Sequence, residues 1–267
     1  MRHVRDDALS GSRILILAIL AAAPLLMTEL TSRITSSAKA AAPAKPDAHR
    51  LRRGHFTYRT MEQGKDVGKG QITIRQVAAS GNYEFSGQFD FVEEFKDYSR
   101  QRWSSIATAE LEPISATLTL DQAAGAAPVF DLKYGSGRVT GFFVSRKETS
   151  ETKASQSIDA ALPANTFDQR IDWATVLASP LKVGQQFEFN VYDPGTGVSR
   201  VTVEVGHLEQ VQVPSGSFDA YRVVYRIEKR GKTEQYVVFA SRELPRVMVG
   251  EEFPNGSVDE LIEMSGL

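Results

Sequence analysis

V-Q-V-P-S-G-S-F-D-A-Y-R-V-V-Y-R, Val211 to Arg226, reads as a strand, a sharp break and a second strand. Val211 and Val213 share a side. Pro214 ends the hydrogen-bonded ladder because it has no N–H, and Gly216 allows the chain to reverse. Phe218 restarts the packing, and Tyr221, Val223, Tyr225 and Ile227 then alternate with Arg222, Arg226 and Glu228. Successive strand side chains point to opposite faces, so this is a hairpin with one apolar, aromatic row and one wet row.

The same period of two runs outward from it. Tyr83, Phe85, Phe89 and Phe91 alternate with Glu84, Ser86, Gln88 and Asp90. Ile114, Ala116, Leu118 and Leu120 alternate with Ser115, Thr117, Thr119 and Asp121, and Phe130, Leu132 and Tyr134 oppose Asp131 and Lys133. Phe187, Phe189 and Val191 oppose Glu188 and Asn190. Between these runs sit Ser80-Gly81-Asn82, Tyr134-Gly135-Ser136-Gly137, Pro194-Gly195, Arg230-Gly231-Lys232 and Asn255-Gly256. Pro194-Gly195 has the residues of a type II turn and Asn255-Gly256 those of a type I′ hairpin. Short hairpins make antiparallel neighbours, so the expected fold is all-β, an antiparallel meander curved into a half-barrel or barrel.

One stretch breaks the alternation. Thr166 and Gln169 have the spacing of a capping box, and Phe167, Ile171, Ala174, Leu177 and Ala178 recur at helical spacing up to Pro180. The spacing predicts a short helix, with Trp173 and Val176 beside its apolar stripe. Only the concave side of the sheet offers that stripe a place to pack.

With 42% hydrophobic and 24% charged residues the 267-residue chain can bury a substantial core. No cysteine is present, which excludes disulfides, thiolate metal sites and a lipidated N-terminal cysteine. The net charge is -2, with no clustered basic run of the kind nucleic acid requires. Arg2, Arg5 and Arg13 precede an apolar run from Ile14 to Met27, and Ala38-Lys39-Ala40 supplies a small-x-small cleavage pattern. Residues 1–40 therefore read as a signal peptide, with an uncleaved anchor as the alternative. Residues 41–49, rich in Ala and Pro, read as a tether with nothing to pack, and residues 50–267 as a single β domain. The expected location is the periplasm, with the inner membrane touched only through an uncleaved N-terminal segment.

V-P-S-G-S-F-D-A-Y-R-V (Val213–Val223), L-K-V-G-Q-Q-F-E-F (Leu181–Phe189) and L-P-R-V-M-V (Leu244–Val249) together resemble a family of exported bacterial β proteins of unknown function. Its members carry a VPAGxFxA hairpin, from which Ser215 departs mildly. The family is similar in turn to the half-barrels of periplasmic lipoprotein carriers. That resemblance implies binding of a lipid or other apolar small molecule.

The candidate ligand-binding residues are the inward aromatics Tyr83, Phe85, Phe89, Phe91, Phe187, Phe189, Tyr221 and Tyr225, with Trp173 from the helix. Gly87 interrupts their row and invites either a bend or a close approach. His207 and Glu209 continue the apolar parity of Val201, Val203 and Val205, unless Gly206 marks a bulge that returns them to water. Asp90, Glu93, Glu94 and Asp97 form an acidic cluster without the glycine or spacing of a calcium loop. No nucleophile elbow, phosphate loop or metal-binding histidine pair occurs, so no catalytic residue, metal or cofactor is expected. A non-enzymatic binder of an apolar or amphipathic ligand is the leading reading. An envelope assembly or scaffold factor using its sheet edges is the alternative, and a hydrolase drawing on the acidic residues is the third.

Overall fold

A computed structural model describes residues 42–91, 100–122, 125–145 and 154–267. The export segment and Ala41 lie outside them. Among the described residues, sixteen strands and one α-helix follow in chain order: β1 (Ala42–Pro43), β2 (Gly54–Glu62), β3 (Lys65–Gln76), β4 (Tyr83–Phe91), β5 (Arg100–Ala107), β6 (Pro113–Gln122), β7 (Gly125–Gly135), β8 (Arg138–Ser145), β9 (Ala154–Ala161), β10 (Thr166–Asp168), α1 (Asp172–Ala178), β11 (Gln186–Asp193), β12 (Gly197–Val213), β13 (Gly216–Lys229), β14 (Lys232–Ser241), β15 (Met248–Glu252) and β16 (Val258–Ser265). Two antiparallel meanders, β2 to β9 and β11 to β16, join where β16 pairs with β2. β9 and β11 are thus the two ends of one curved sheet and do not pair with each other. Of the two closures expected, the open one is found.

Hairpin chemistry explains the antiparallel order. Gln63-Gly64, Ser136-Gly137 and Arg230-Gly231 each hold two successive positive φ angles between directly paired strands, the type I′ geometry that matches strand twist. Two turn assignments need correction. At Pro194-Gly195 it is Gly197, not Gly195, that has positive φ (80°). At Asn255-Gly256 only Gly256 does (82°). Pro194 and Pro254 occupy the first central position and fix a negative φ there, so the chain makes an ordinary turn and leaves the left-handed step to a following glycine.

Six register shifts bend the sheet, one of them between Val205 and Leu208. There Gly206 and His207 face the single residue Arg222, and a Cβ on Gly206 would lie 2.6 Å from the Arg222 carbonyl oxygen. The bulge also disturbs the aromatic row of the partner strand. Val223, Tyr225 and Ile227 are buried as the alternation requires, but Ala220 takes the inside next to them and Tyr221 is only half-buried.

The helix is shorter than its sequence signal. Thr166–Asp168 pairs in parallel with Asn190–Tyr192 of β11, so the capping box does not form, and the Thr166 hydroxyl donates to the Pro163 carbonyl at 2.7 Å. Strand pairing satisfies those backbone groups before a helix can. A 3-10 turn at Gln169–Ile171 then leads into α1. All seven α1 residues are buried.

The Ala/Pro segment is likewise not an idle tether. Ala42 and Pro43 pair in parallel with Phe187 and Glu188. The Ala44 N–H reaches the Glu188 carbonyl at 2.9 Å, and the Ala48 N–H the Ala109 carbonyl at 2.7 Å. Ala44, Pro46 and Ala48 are buried, because small side chains let this backbone lie directly against β11 and α1.

Candidate functional site: the concave face and its seam

Most of the candidate aromatics are inside, and the protein itself covers them. Tyr83, Phe85, Phe187, Phe189 and Tyr225 are buried, as is Trp173 of α1, while Phe89 and Tyr221 are half-buried. The Phe91 side chain and residues Glu93, Glu94 and Asp97 lie outside the described part. Trp173 meets Phe85 edge-on with centroids 6.5 Å apart, and Phe167 meets Phe189 the same way at 5.6 Å. Tyr225 instead stacks on Tyr236 at 5.1 Å. The predicted row is thereby divided among several local packing groups. The glycine at position 87 serves a sheet neighbour: a Cβ there would lie 2.3 Å from the Trp103 indole, which covers it from β5. Phe89 covers Gly70 in the same manner.

Between α1 and the sheet a void of about 10 Å³ remains, lined by Phe56, Tyr58, Ile74, Trp173, Leu177, Arg246, Val247 and Met248. That is about the room one water needs. Arg246 holds the helix over it. Its Nη1 donates to the carbonyls of Leu177 at 2.7 Å and Ser179 at 3.0 Å, the place where helix carbonyls lack partners and a cation is favoured.

Sequence reasoning missed a buried ionic group at the seam, where the connection from β9 to β11 crosses the open side. Asp168 and Asp193 flank Arg170, whose Nη2 donates to Asp193 Oδ2 at 2.7 Å and whose Nε lies 3.5 Å from Asp168 Oδ1. The Arg170 guanidinium also sits 5.0 Å above the Phe130 ring of β7, and Tyr134 of β7 meets Tyr192 of β11 edge-on at 6.3 Å. β11 and the segment beside it are therefore tied through side chains to β7. Burial raises the Asp168 carboxyl above its usual range, and Arg170 with the neighbouring Ser105 hydroxyl offsets only part of that. Burial pushes Asp193 up too, but the Arg170 charge, its hydrogen bond and the Gly195 N–H together outweigh it and leave Asp193 lowered. Asp168 and Arg170 stand 23 or more residues from Asp193, and nothing local in the sequence joins them.

A second buried polar group sits on β15 and β16, where Glu251 and Asp259 are directly opposed and both nearly closed off from solvent. The Tyr225 hydroxyl donates to Glu251, the Thr60 hydroxyl donates to Asp259 at 2.6 Å, and the Tyr58 hydroxyl donates to the Met248 carbonyl at 2.9 Å. Burial, then the charges of Asp259 and Glu251, raise the Tyr58 phenol well above its ordinary value. Such an array can hold protons and fix side chains.

The remaining candidates face water. His207 lies on the bulge, exposed, 3.6 Å from Glu209. Asp90 is engaged by Arg100 at 2.5 Å. Among the described residues no group of three or more acidic or histidine side chains is placed to hold a metal, and no helix is long and apolar enough to cross a membrane.

Residues 55–263 match the family described as "Protein of unknown function (DUF3108)", and the chain belongs to that family. No curated protein matches it significantly. Among solved structures it is similar to a β-barrel-like protein of a domain of unknown function (DUF1849) from Brucella abortus, at 14% identity and a TM-score of 0.50, over 81% of this chain and 98% of that one. Weaker likenesses are to a protein from Bacteroides fragilis described as exported with a YmcC-like fold (12% identity, TM-score 0.35, 84% and 99% covered) and to one from Parabacteroides distasonis described as a lipoprotein (10%, 0.37, 82% and 99%). The Brucella likeness agrees with the curved, barrel-like sheet.

Proposed function

We propose that this family member is an exported cell-envelope protein that binds an apolar or amphipathic ligand on the concave face of its sheet, with the segment from Thr166 to Ser179 acting as a removable plug. One observation carries the reading. A seven-residue helix, buried on every residue, covers the aromatic face of a sheet that stays open between β9 and β11. Withdrawing it breaks the three β10 pairs, the Arg170–Asp193 ion pair and the Arg246 bonds to Leu177 and Ser179, while Phe85 and Phe189 become available. The bound and plugged forms then exchange one apolar cover for another. Each aromatic left exposed costs roughly 1.5–3 kcal/mol, so the ligand must supply comparable apolar area. Export is supported by the Arg-led apolar run at Ile14–Met27.

The two tryptophans make the test direct. In a Trp103→Phe background, Trp173 reports the plug alone, and a fatty acid or phospholipid titrated into the protein is expected to shift its emission to the red as the helix leaves. Emission unmoved by every apolar ligand, together with a bare mass by native mass spectrometry, sinks the proposal.

A second reading has its own observation. β9 keeps a regular eight-residue register with β8, and no described strand pairs with its outer edge. Such an edge can accept an extended segment of a partner protein, as an assembly factor would require.

A further inference from the structure

Most of the described arginines lie within 4 Å of a carboxylate. Arg50, Arg52, Arg53, Arg230, Arg242 and Arg246 pair with no described carboxylate. Five of these six fall on two short segments, 50–53 and 242–246, which the fold brings together. The Arg246 N–H donates to the Arg50 carbonyl at 2.6 Å, the Arg52 N–H donates to the Arg246 carbonyl at 2.8 Å, and Leu51 and Arg246 form a parallel bridge. Apart from Arg230, the other described arginines are matched with acids. Here the fold gathers cations, and no described acid forms an ion pair with them.

Two of them are withdrawn from water. Arg246 is 5% exposed and Arg50 is half-buried. The Nε atoms of both are closed off from solvent, and neither donates to any acceptor in the protein. Burial, and then the charge of Arg50, depress the Arg246 guanidinium from its usual value, so the two like charges are close enough to oppose each other. Asp47 feels the Arg50 charge but is bonded to His49 at 2.9 Å, no acid is among the groups that shift Arg246, and among the described residues Asp219 and Glu243 make no ion pair. A buried cation ordinarily carries its own counterion, since an uncompensated one is costly. Two guanidinium forks with idle donors suit an oxyanion, whose oxygens accept paired N–H bonds.

We propose that Arg50 and Arg246 form a binding site for a phosphate group, with Arg52 and Arg242 on the same joined segments adding to its positive field. Arg246 faces the void beside Trp173 and Leu177. In the function proposed above, the phosphate is the head group of an amphipathic ligand whose apolar part enters under the plug. The anion site rests on that reading only for the attached chain.

The test uses the mature protein and two probes, inorganic phosphate followed by thermal shift and phosphatidylglycerol vesicles against phosphatidylcholine vesicles in flotation. The comparison variant is Arg50→Gln, which leaves the Arg246 bonds to α1 in place. Arg230→Gln, another arginine without an acid, is the control. Phosphate is expected to raise the melting temperature of the wild type and the control alike, and Arg50→Gln to weaken that binding at least about tenfold. Without phosphate, Arg50→Gln should melt no lower than wild type, because it relieves the repulsion; a residue needed only for structure would melt lower. Phosphatidylglycerol binding that disappears in Arg50→Gln identifies a lipid head group as the source. Phosphate binding without vesicle binding keeps the site, assigns it to a water-soluble phosphate and removes the lipid from the proposed function. Absence of binding to either probe, or binding equal in wild type and Arg50→Gln, overturns the site.

Discussion

The two ends of the sheet are finished in opposite ways. The outer edge of β11 is occupied along most of its length, by β1 at Phe187–Glu188 and β10 at Asn190–Tyr192, both parallel to it. The outer edge of β9 carries no described strand. The covers of β11 are unlike ordinary strands: two residues of an Ala/Pro run and three residues leading into a 3-10 turn. What holds them is their neighbours, the Arg170 ion group on one side and the buried small residues at 44–48 on the other. An edge left open is a template for pairing with another chain, and proteins usually blunt it with lysine, proline or a bulge. β9 has none of the three within Ala154–Ala161. The contrast is that one end of this sheet is covered by described segments and the other is covered by none of them.

The largest expected effect tests what closes β11. Arg170→Met keeps most of the side-chain volume but leaves Asp168 and Asp193 buried and adjacent without their cation. Breaking such a group typically costs about 3–5 kcal/mol, and urea unfolding measures it. Hydrogen exchange should then quicken at Thr166–Asp168 while β9 and β8 keep their protection. A loss below about 1 kcal/mol would show that aromatic packing, not charge, holds the seam. Next comes Ala48→Leu. Ala48 has no exposed surface, with its N–H fixed to Ala109, and overpacking such a site costs about 1–3 kcal/mol. If residues 41–49 were the tether that their composition suggests, the substitution would be silent.

The same two sites show where the sequence is legible and where it is not. Strand parity follows from which side chains meet water, a local property, so Tyr83 and Phe85 or Phe187 and Phe189 could be assigned inward from the pattern alone. Gly206 announced its bulge because only glycine tolerates the Arg222 carbonyl so close. Strand order was not legible, since the pairing of β16 with β2 joins residues about two hundred positions apart. Ala42–Ala48 looked idle because small residues carry no periodicity, although they are what permits close backbone approach. The concave face was legible as an apolar surface with a short helix to pack on it, but the pattern cannot say how completely that helix fills the concavity. Arg246 and Arg50 were invisible for the same reason: a missing counterion is a fact about space.

Protonation sharpens the contrast further, because the covered edge carries two carboxylates shifted in opposite directions. Asp193 is lowered from 3.8, so its contribution is present above that pH and is lost as the pH falls through its folded value. Asp168 is raised from 3.8, so its contribution is full below that pH and is lost as the pH rises through its folded value. Asp168→Asn cannot lose a proton. Its melting temperature relative to wild type is expected to climb as the pH rises above about 4, whereas Asp193→Asn should lose ground to wild type as the pH rises toward about 4 and stay level above it. A flat difference for Asp168→Asn would mean that the Arg170 group neutralises it fully.

The smallest effect on stability belongs to the bare edge, and it decides what that edge is for. Gln156 and Ser157 are exposed on β9, while Ile158 and Ala160 turn toward the core. Gln156→Lys with Ser157→Lys should therefore change unfolding free energy by no more than about 0.5 kcal/mol, as surface changes usually do. Yet two lysines on an open edge oppose any incoming strand by charge and by bulk. If β9 recruits an extended segment of a partner, the double variant keeps its melting temperature, retains the Trp173 response to apolar ligands and loses the partner in crosslinked envelope fractions. If the partner remains, the edge is merely unpaired, and the concave face alone must account for what the protein does.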